Sequence, residues 1–162
     1  MRVIVIGGTG HIGTYLIPRL VEGGHEVISI SRNQRKPYHS LKVWQFVQSV
    51  ELDRHQEESK GTFGYRILEL KPDIVIDLIC FTLESASSLV KVLQGNIHQF
   101  LHCGTIWVHG PGIEVPITED KPRKPISEYG KNKTAIEAYL LKETALHAFP
   151  ATILHPGHIV GK

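Results

Sequence analysis

A chain of 162 residues with 41% hydrophobic and 21% charged side chains has room for one domain with a full core, and its composition excludes a disordered or fibrous polymer. Net charge is only +2, and the basic residues are dispersed apart from Arg32, Arg35 and Lys36 and then Lys121, Arg123 and Lys124, a pattern that excludes a nucleic-acid footprint. No run approaches the roughly 18 apolar residues of a membrane span, and the opening apolar run meets glycine too early for a signal peptide, so a cytoplasmic chain without a membrane partner is expected.

Short β-branched runs alternate with longer amphipathic stretches. Strand Arg2–Ile6 leads into a helix carried by Ile12, Tyr15, Leu16, Leu20 and Val21 and stopped at Gly23-Gly24. Strand Glu26–Ser31 follows. Residues 33–52 fit neither period cleanly, because Leu41, Val43, Trp44, Phe46 and Val47 are irregularly spaced; they read as a short helix or irregular stretch and then a brief strand over 50–52. Beyond them come a strand over 73–79, a helix Leu83–Leu93 ending at Gly95, a strand over 100–104 and a proline-rich loop over 111–125. The longest helix spans 129–147 with Ile136, Leu140, Leu141 and Ala145 as its apolar stripe, and strand Ala151–Leu154 follows Pro150. This alternation predicts an α/β fold: a doubly wound, mainly parallel sheet of five or six strands with helices on both faces. Cys80 and Cys103 fall in apolar runs without metal-ligand spacing and read as buried thiols of a reducing compartment.

Between the first strand and helix stands Gly7-Gly8-Thr9-Gly10-His11-Ile12-Gly13. A chain leaving a strand here must turn sharply, pass close to a ligand and enter a helix packed tightly on the sheet, and each spaced glycine meets one of those demands. The helix presents unpaired N–H groups and the positive end of its dipole, which together cradle a diphosphate without a cationic side chain. Gly7, Gly10, His11, Ile12 and Gly13 are therefore the candidate cofactor-binding residues of a nucleotide-binding turn.

Three further segments, in order, complete a pattern. Thr105-Ile106-Trp107-Val108-His109-Gly110 is similar to a Ser/Thr-x-x-Val-Tyr-Gly segment, Tyr129-Gly130-Lys131-Asn132-Lys133 to a Tyr-x-x-x-Lys motif, and residues 154–161 to a Leu-Arg-Pro segment, with His109 and His155 replacing the usual Tyr and Arg. With the glycine turn, they make the chain resemble the extended short-chain dehydrogenase/reductase family, the NAD(P)-dependent epimerases, dehydratases and reductases. The resemblance implies an enzyme acting on an alcohol, carbonyl or sugar-nucleotide substrate, with Tyr129 exchanging the proton, Lys133 favouring the phenolate and binding the nicotinamide ribose, and Thr105 orienting the substrate oxygen. Tyr129 and Lys133 are four apart, which puts them on one helix face.

The resemblance also implies that residues 1–162 are a dinucleotide-binding domain, with the smaller C-terminal substrate domain of such enzymes absent. A non-catalytic NAD(P)-binding sensor module and an inactive truncated fragment are the alternatives, and a small molecule and a second copy of the chain are the expected partners.

At the end of the second strand, where an acidic residue would grip the ribose 2′-OH of NAD, the chain reads Ser31-Arg32, with Arg35 and Lys36 nearby. Guanidinium groups suit a 2′-phosphate, which favours NADP over NAD; a solvated basic loop is the alternative. Asp53 is a candidate acceptor for the adenine amino group or, equally, a helix cap. Asp77, in an apolar run, requires a partner or a catalytic role. His102, His109, His155 and His158 lack accompanying Cys or carboxylate ligands, so no metal is expected, and His109 and His155 are candidate pocket residues.

Overall fold

Val3-Ile4-Val5-Ile6 reads as a strand buried on both faces, and it takes the middle of the sheet. In the computed structural model, which describes residues 1–34, 36–39, 41–112 and 116–160, six strands are seen: β1 (Arg2–Ile6), β2 (Glu26–Ser31), β3 (Gln48–Glu51), β4 (Ile74–Asp77), β5 (Gln99–Cys103) and β6 (Ala151–Leu154). They pair in the order β3-β2-β1-β4-β5-β6, parallel throughout. The doubly wound α/β expectation is borne out, and the reversal of strand order between β1 and β4 opens a crevice over the carboxyl ends of those two strands.

The period of two along β1 separates two core layers. Val3 and Val5 pack with Ile17, Val27 and Ile76 under α1 (His11–Glu22). Ile4 and Ile6 face the other way, into a larger layer. There α3 (Phe63–Glu69) supplies Phe63 and Ile67, α4 (Leu83–Leu93) supplies Leu89 and Leu93, and α5 (Glu128–His147) supplies Ile136 and Leu140.

The structure departs from the sequence reading at three places. A short α2 (Arg54–Ser59) and α3 occupy the crossover before β4, where no element was expected; α2 buries no residue fully and α3 only Phe63, Gly64 and Ile67, too few for a legible helical period. In α5 the buried stripe is Gly130, Lys133, Ile136, Glu137 and Leu140, while Leu141 and Ala145 are exposed: two charged residues hold positions that periodicity reserves for apolar ones. Within 33–52 a 3₁₀ turn, Lys42–Phe46, precedes β3, with Arg35 and Ser40 outside the described residues. Cys80 is buried and its thiol is pushed up to about 12 by desolvation; Cys103 is only partly buried. Among the described residues no helix is long and apolar enough to cross a membrane.

Candidate functional site

The glycine turn owes its shape to two close approaches. Gly7 has φ +87°, a left-handed conformation that favours glycine, and a Cβ there would stand 2.6 Å from Ile79 Cγ2. At Gly13 a Cβ would fall 2.1 Å from the Gly8 carbonyl oxygen, so the first turn of α1 lies directly on the loop. Gly10 is the N-cap of α1 and offers no side-chain cap, and the first turn holds no acidic residue. The positive helix end is thus left to an anion, which fits the diphosphate of a dinucleotide.

From this turn a cleft of about 510 Å³ runs along the carboxyl ends of the strands. Gly7, Gly10, Ser31, Arg32 and Asp53 line it; His11, Ile12 and Gly13 form the helix start behind it. The Ser31 hydroxyl accepts a hydrogen bond from Asn33 N at 3.1 Å, which holds the turn that presents Arg32. Arg32 also borders a second hollow of about 300 Å³ with Gln34, Glu51, Gln56 and Glu57. Asp53 caps α2, its Oδ1 accepting from Gln56 N at 3.1 Å, and the residue also lines the cleft.

Asp77 finds its partner in Arg54, which sequence reasoning missed. The fully buried carboxylate accepts from Arg54 Nη1 through both oxygens at 2.9 Å, and Arg54 Nε donates to Glu58 at 2.6 Å. Glu58 in turn accepts from Ser85 Oγ at 2.7 Å, and the guanidinium lies 5.1 Å from the centre of the Phe63 ring. Burial alone would lower the pKa of Arg54, but the facing Asp77 and Glu58 carboxylates outweigh it and hold the group above its ordinary range. This network ties α2, β4 and α4 together beneath the cleft.

The candidate catalytic residues stand at the next strand over. Thr105, buried just beyond β5, accepts from Trp107 N at 3.3 Å through Oγ1 and caps the 3₁₀ turn Ile106–Val108. A Cβ at Gly130 would lie 2.8 Å from the Trp107 carbonyl, so the start of α5 rests on that turn and brings Tyr129 and Lys133 beside it. Lys133 is buried, and Nζ donates to the carbonyls of Cys80 and Cys103 at 2.7 Å each, bridging the chain just beyond β4 to the end of β5. Desolvation lowers its pKa from the ordinary value. Tyr129 is half-exposed, its ring centre 5.9 Å from Lys133 Nζ. None of Thr105, Tyr129 and Lys133 lines the cleft itself; Phe81 joins the two regions, since it lines the cleft and its ring lies 5.1 Å from Lys133 Nζ.

A further turn along α5, Glu137 is buried, forms an ion pair with Arg123 of the proline-rich loop and lies within hydrogen-bond distance of His155, Oε2 to Nε2 at 2.8 Å. His109 and His155 face one another at 5.4 Å between ring centres, and like Thr105, Tyr129 and Lys133 they do not line the cleft itself. The four-residue spacing of Tyr129, Lys133 and Glu137 was a signal that could have exposed this carboxylate.

His102 of β5 is buried with neither ring nitrogen hydrogen-bonded, and desolvation lowers its pKa from 6.5 to about 4. Between those values the unfolded chain holds the extra proton, so stability is complete above pH 6.5 and falls as pH drops towards 4, by about 3 kcal/mol. Urea titrations across that range should show this slope, and His102→Leu should flatten it; an unchanged slope in the variant would assign the acid sensitivity elsewhere.

Residues 3–162 match the description of the NAD dependent epimerase/dehydratase family. The chain is 29% identical over 137 residues to the 2'-dehydrokanamycin reductase of Streptomyces kanamyceticus, covering 85% of this chain and 37% of that protein. It is 29% identical over 173 residues to the UDP-glucose 4-epimerase of Azospirillum brasilense, covering 99% and 49%. The chain therefore spans half or less of the length of these relatives. Among solved structures, the UDP-glucuronic acid 4-epimerase of Bacillus cereus in complex with NAD shares the fold at a TM-score of 0.83 and 20% identity, over 99% of this chain and 55% of that one. The UDP-glucose 4-epimerase of Bifidobacterium longum in complex with NAD+ and UDP does so at 0.77 and 24%, over 96% and 52%. Because the family match runs from the glycine turn through the Tyr129–Lys133 pair to the end of the sheet, the chain belongs to the NAD dependent epimerase/dehydratase family.

Proposed function

We propose that residues 1–162 form a dinucleotide-binding domain that takes NADP(H) in the cleft and carries out epimerase-, dehydratase- or reductase-type chemistry on an alcohol, carbonyl or sugar-nucleotide substrate. The observation that carries this is that Phe81 links two features on the carboxyl side of one sheet: it lines the cleft that begins at the uncapped glycine turn, and its ring lies against the Tyr129–Lys133 pair. Gly7, Gly10, His11, Ile12 and Gly13 would hold the diphosphate, Ser31 and Arg32 the adenosine ribose with its 2′-phosphate, and Asp53 the adenine amino group. The bound nicotinamide supplies or accepts hydride. Tyr129 holds or moves the substrate proton, Lys133 favours its ionisation, and Thr105 orients the substrate oxygen. The named activities of the relatives support this class of chemistry and of substrate.

Calorimetric titration with NADP and NAD, followed by a hydride-transfer assay on a panel of sugar nucleotides, alcohols and carbonyl compounds, tests the reading. Arg32→Asp should weaken NADP binding by about tenfold or more, in the range of a lost charge-assisted pair, and shift preference towards NAD. Tighter NAD than NADP binding by the unaltered chain would overturn the 2′-phosphate assignment. One observation favours a second reading, a cofactor-binding module without chemistry: Lys133 Nζ is held by two backbone carbonyls and the Thr105 hydroxyl by Trp107 N. Cofactor binding without turnover on any substrate selects that reading.

A further inference from the structure

We propose that Phe81 is a positioning residue between the dinucleotide cleft and Lys133, whose ring must leave the ammonium before the second half of a bound dinucleotide reaches it; this rests on the dinucleotide reading above. An ammonium carries three N–H donors. Two from Lys133 Nζ go to the Cys80 and Cys103 carbonyls at 2.7 Å. The Phe81 ring lies 5.1 Å away, within cation–π range, and stands 6.4 Å from the Tyr129 ring at an interplanar angle of 47°. The same ring lines the cleft beside Gly7 and Ile79. Phe81 is thus the one side chain that both lines the cleft and lies within cation–π range of the ammonium among the described residues, so a ribose hydroxyl coming from the cleft would meet the ring first.

The backbone around Phe81 is anchored on both sides. Cys80 O accepts from Lys133, and Thr82 caps α4 by accepting from Ser85 N at 3.2 Å. The side chain itself is 51% exposed, so no packed shell fixes its rotamer. A side-chain rotation, with the main chain held, is enough to uncover Lys133. The adenine half of a dinucleotide meets the glycine turn, Arg32 and Asp53 without disturbing this contact; the other half must displace it.

The test compares each dinucleotide with its adenine half by calorimetry: NADPH against 2′-phospho-ADP, and NADH against ADP. In the unaltered chain the dinucleotide should bind no more than about threefold more tightly than its half, since the added contacts are offset by loss of a cation–π contact. Phe81→Ala should raise that ratio by about tenfold, leaving affinity for the half within about twofold. Phe81→Leu, which keeps apolar bulk and removes the π face, should lie between. Adding Lys133→Met to Phe81→Ala should return the ratio to its starting value, a coupling that general loosening of the fold would not produce. A ratio unchanged in Phe81→Ala, or a starting preference of a hundredfold for the dinucleotide, overturns the role of Phe81 while leaving the dinucleotide reading intact. Failure of both the dinucleotides and their halves to bind overturns the two together.

Discussion

Arg54→Ala should destabilise the fold by about 3–5 kcal/mol, the usual consequence of removing one partner from a buried ion pair. Asp77 is fully buried, and its carboxylate receives both of its Arg54 contacts from Nη1 at 2.9 Å. With the guanidinium gone, an unpaired charge remains between β4 and the helices above it, and Glu58 keeps only its bond from Ser85. Several kcal/mol is a large share of the stability of a domain this size. Urea denaturation followed by circular dichroism measures the loss as a lower midpoint. The pair itself is a different matter: Arg54→Met combined with Asp77→Leu exchanges both charges for apolar volume, and buried pairs replaced in this way are commonly neutral or better. The double variant should therefore regain most of what Arg54→Ala loses. A loss under about 1 kcal/mol in Arg54→Ala, the scale of an exposed ion pair, would show that the network beneath the cleft is solvated.

The same pair marks the limit of what the chain discloses in one dimension. Val3-Ile4-Val5-Ile6 followed by Gly7 was legible because a strand buried on both faces is a continuous apolar run and because the turn needs glycine at fixed positions. Tyr129 and Lys133 were legible because a four-residue spacing guarantees a shared helix face. Asp77 announced only that it needed a partner. Its partner is 23 residues away on a short helix with no buried stripe, and long-range pairing of that kind leaves no periodic trace. The apolar stripe of α5 misled for a related reason: Lys133 and Glu137 are buried because backbone carbonyls, Arg123 and His155 satisfy them, and hydrophobic periodicity cannot register a satisfied charge. His109 and His155 were singled out correctly as unusual, yet the carboxylate that explains His155 lies on another element.

Tyr129→Phe should lower hydride-transfer turnover by about a hundredfold to ten-thousandfold, the range expected when a positioned general acid–base is removed, on any substrate for which the unaltered chain shows activity. Stability and cofactor affinity should hardly change, because the ring is half-exposed and only the phenolic oxygen is lost. Lys133→Met should lower turnover too, because the ammonium favours ionisation of Tyr129, and unlike Tyr129→Phe it should also cost stability. Its ammonium bridges the Cys80 and Cys103 carbonyls at 2.7 Å, and the replacement leaves one buried and one partly buried acceptor without that donor. Each such loss costs about 1–3 kcal/mol, offset in part because an ammonium is no longer desolvated, for a net loss of about 2 kcal/mol. The pH dependence should also differ. Because burial lowers the folded pKa of Lys133 below 10.5, the unfolded chain holds more protons between the two values, and this residue makes stability rise as pH climbs towards 10.5. Subtracting the Lys133→Met profile from that of the unaltered chain should leave such a rise at alkaline pH. Together the two variants separate the chemical oxygen from the group that holds it: if Tyr129→Phe retains full turnover, proton transfer belongs to another residue, and if Lys133→Met matches the unaltered chain in stability, the two carbonyls find water in place of the ammonium.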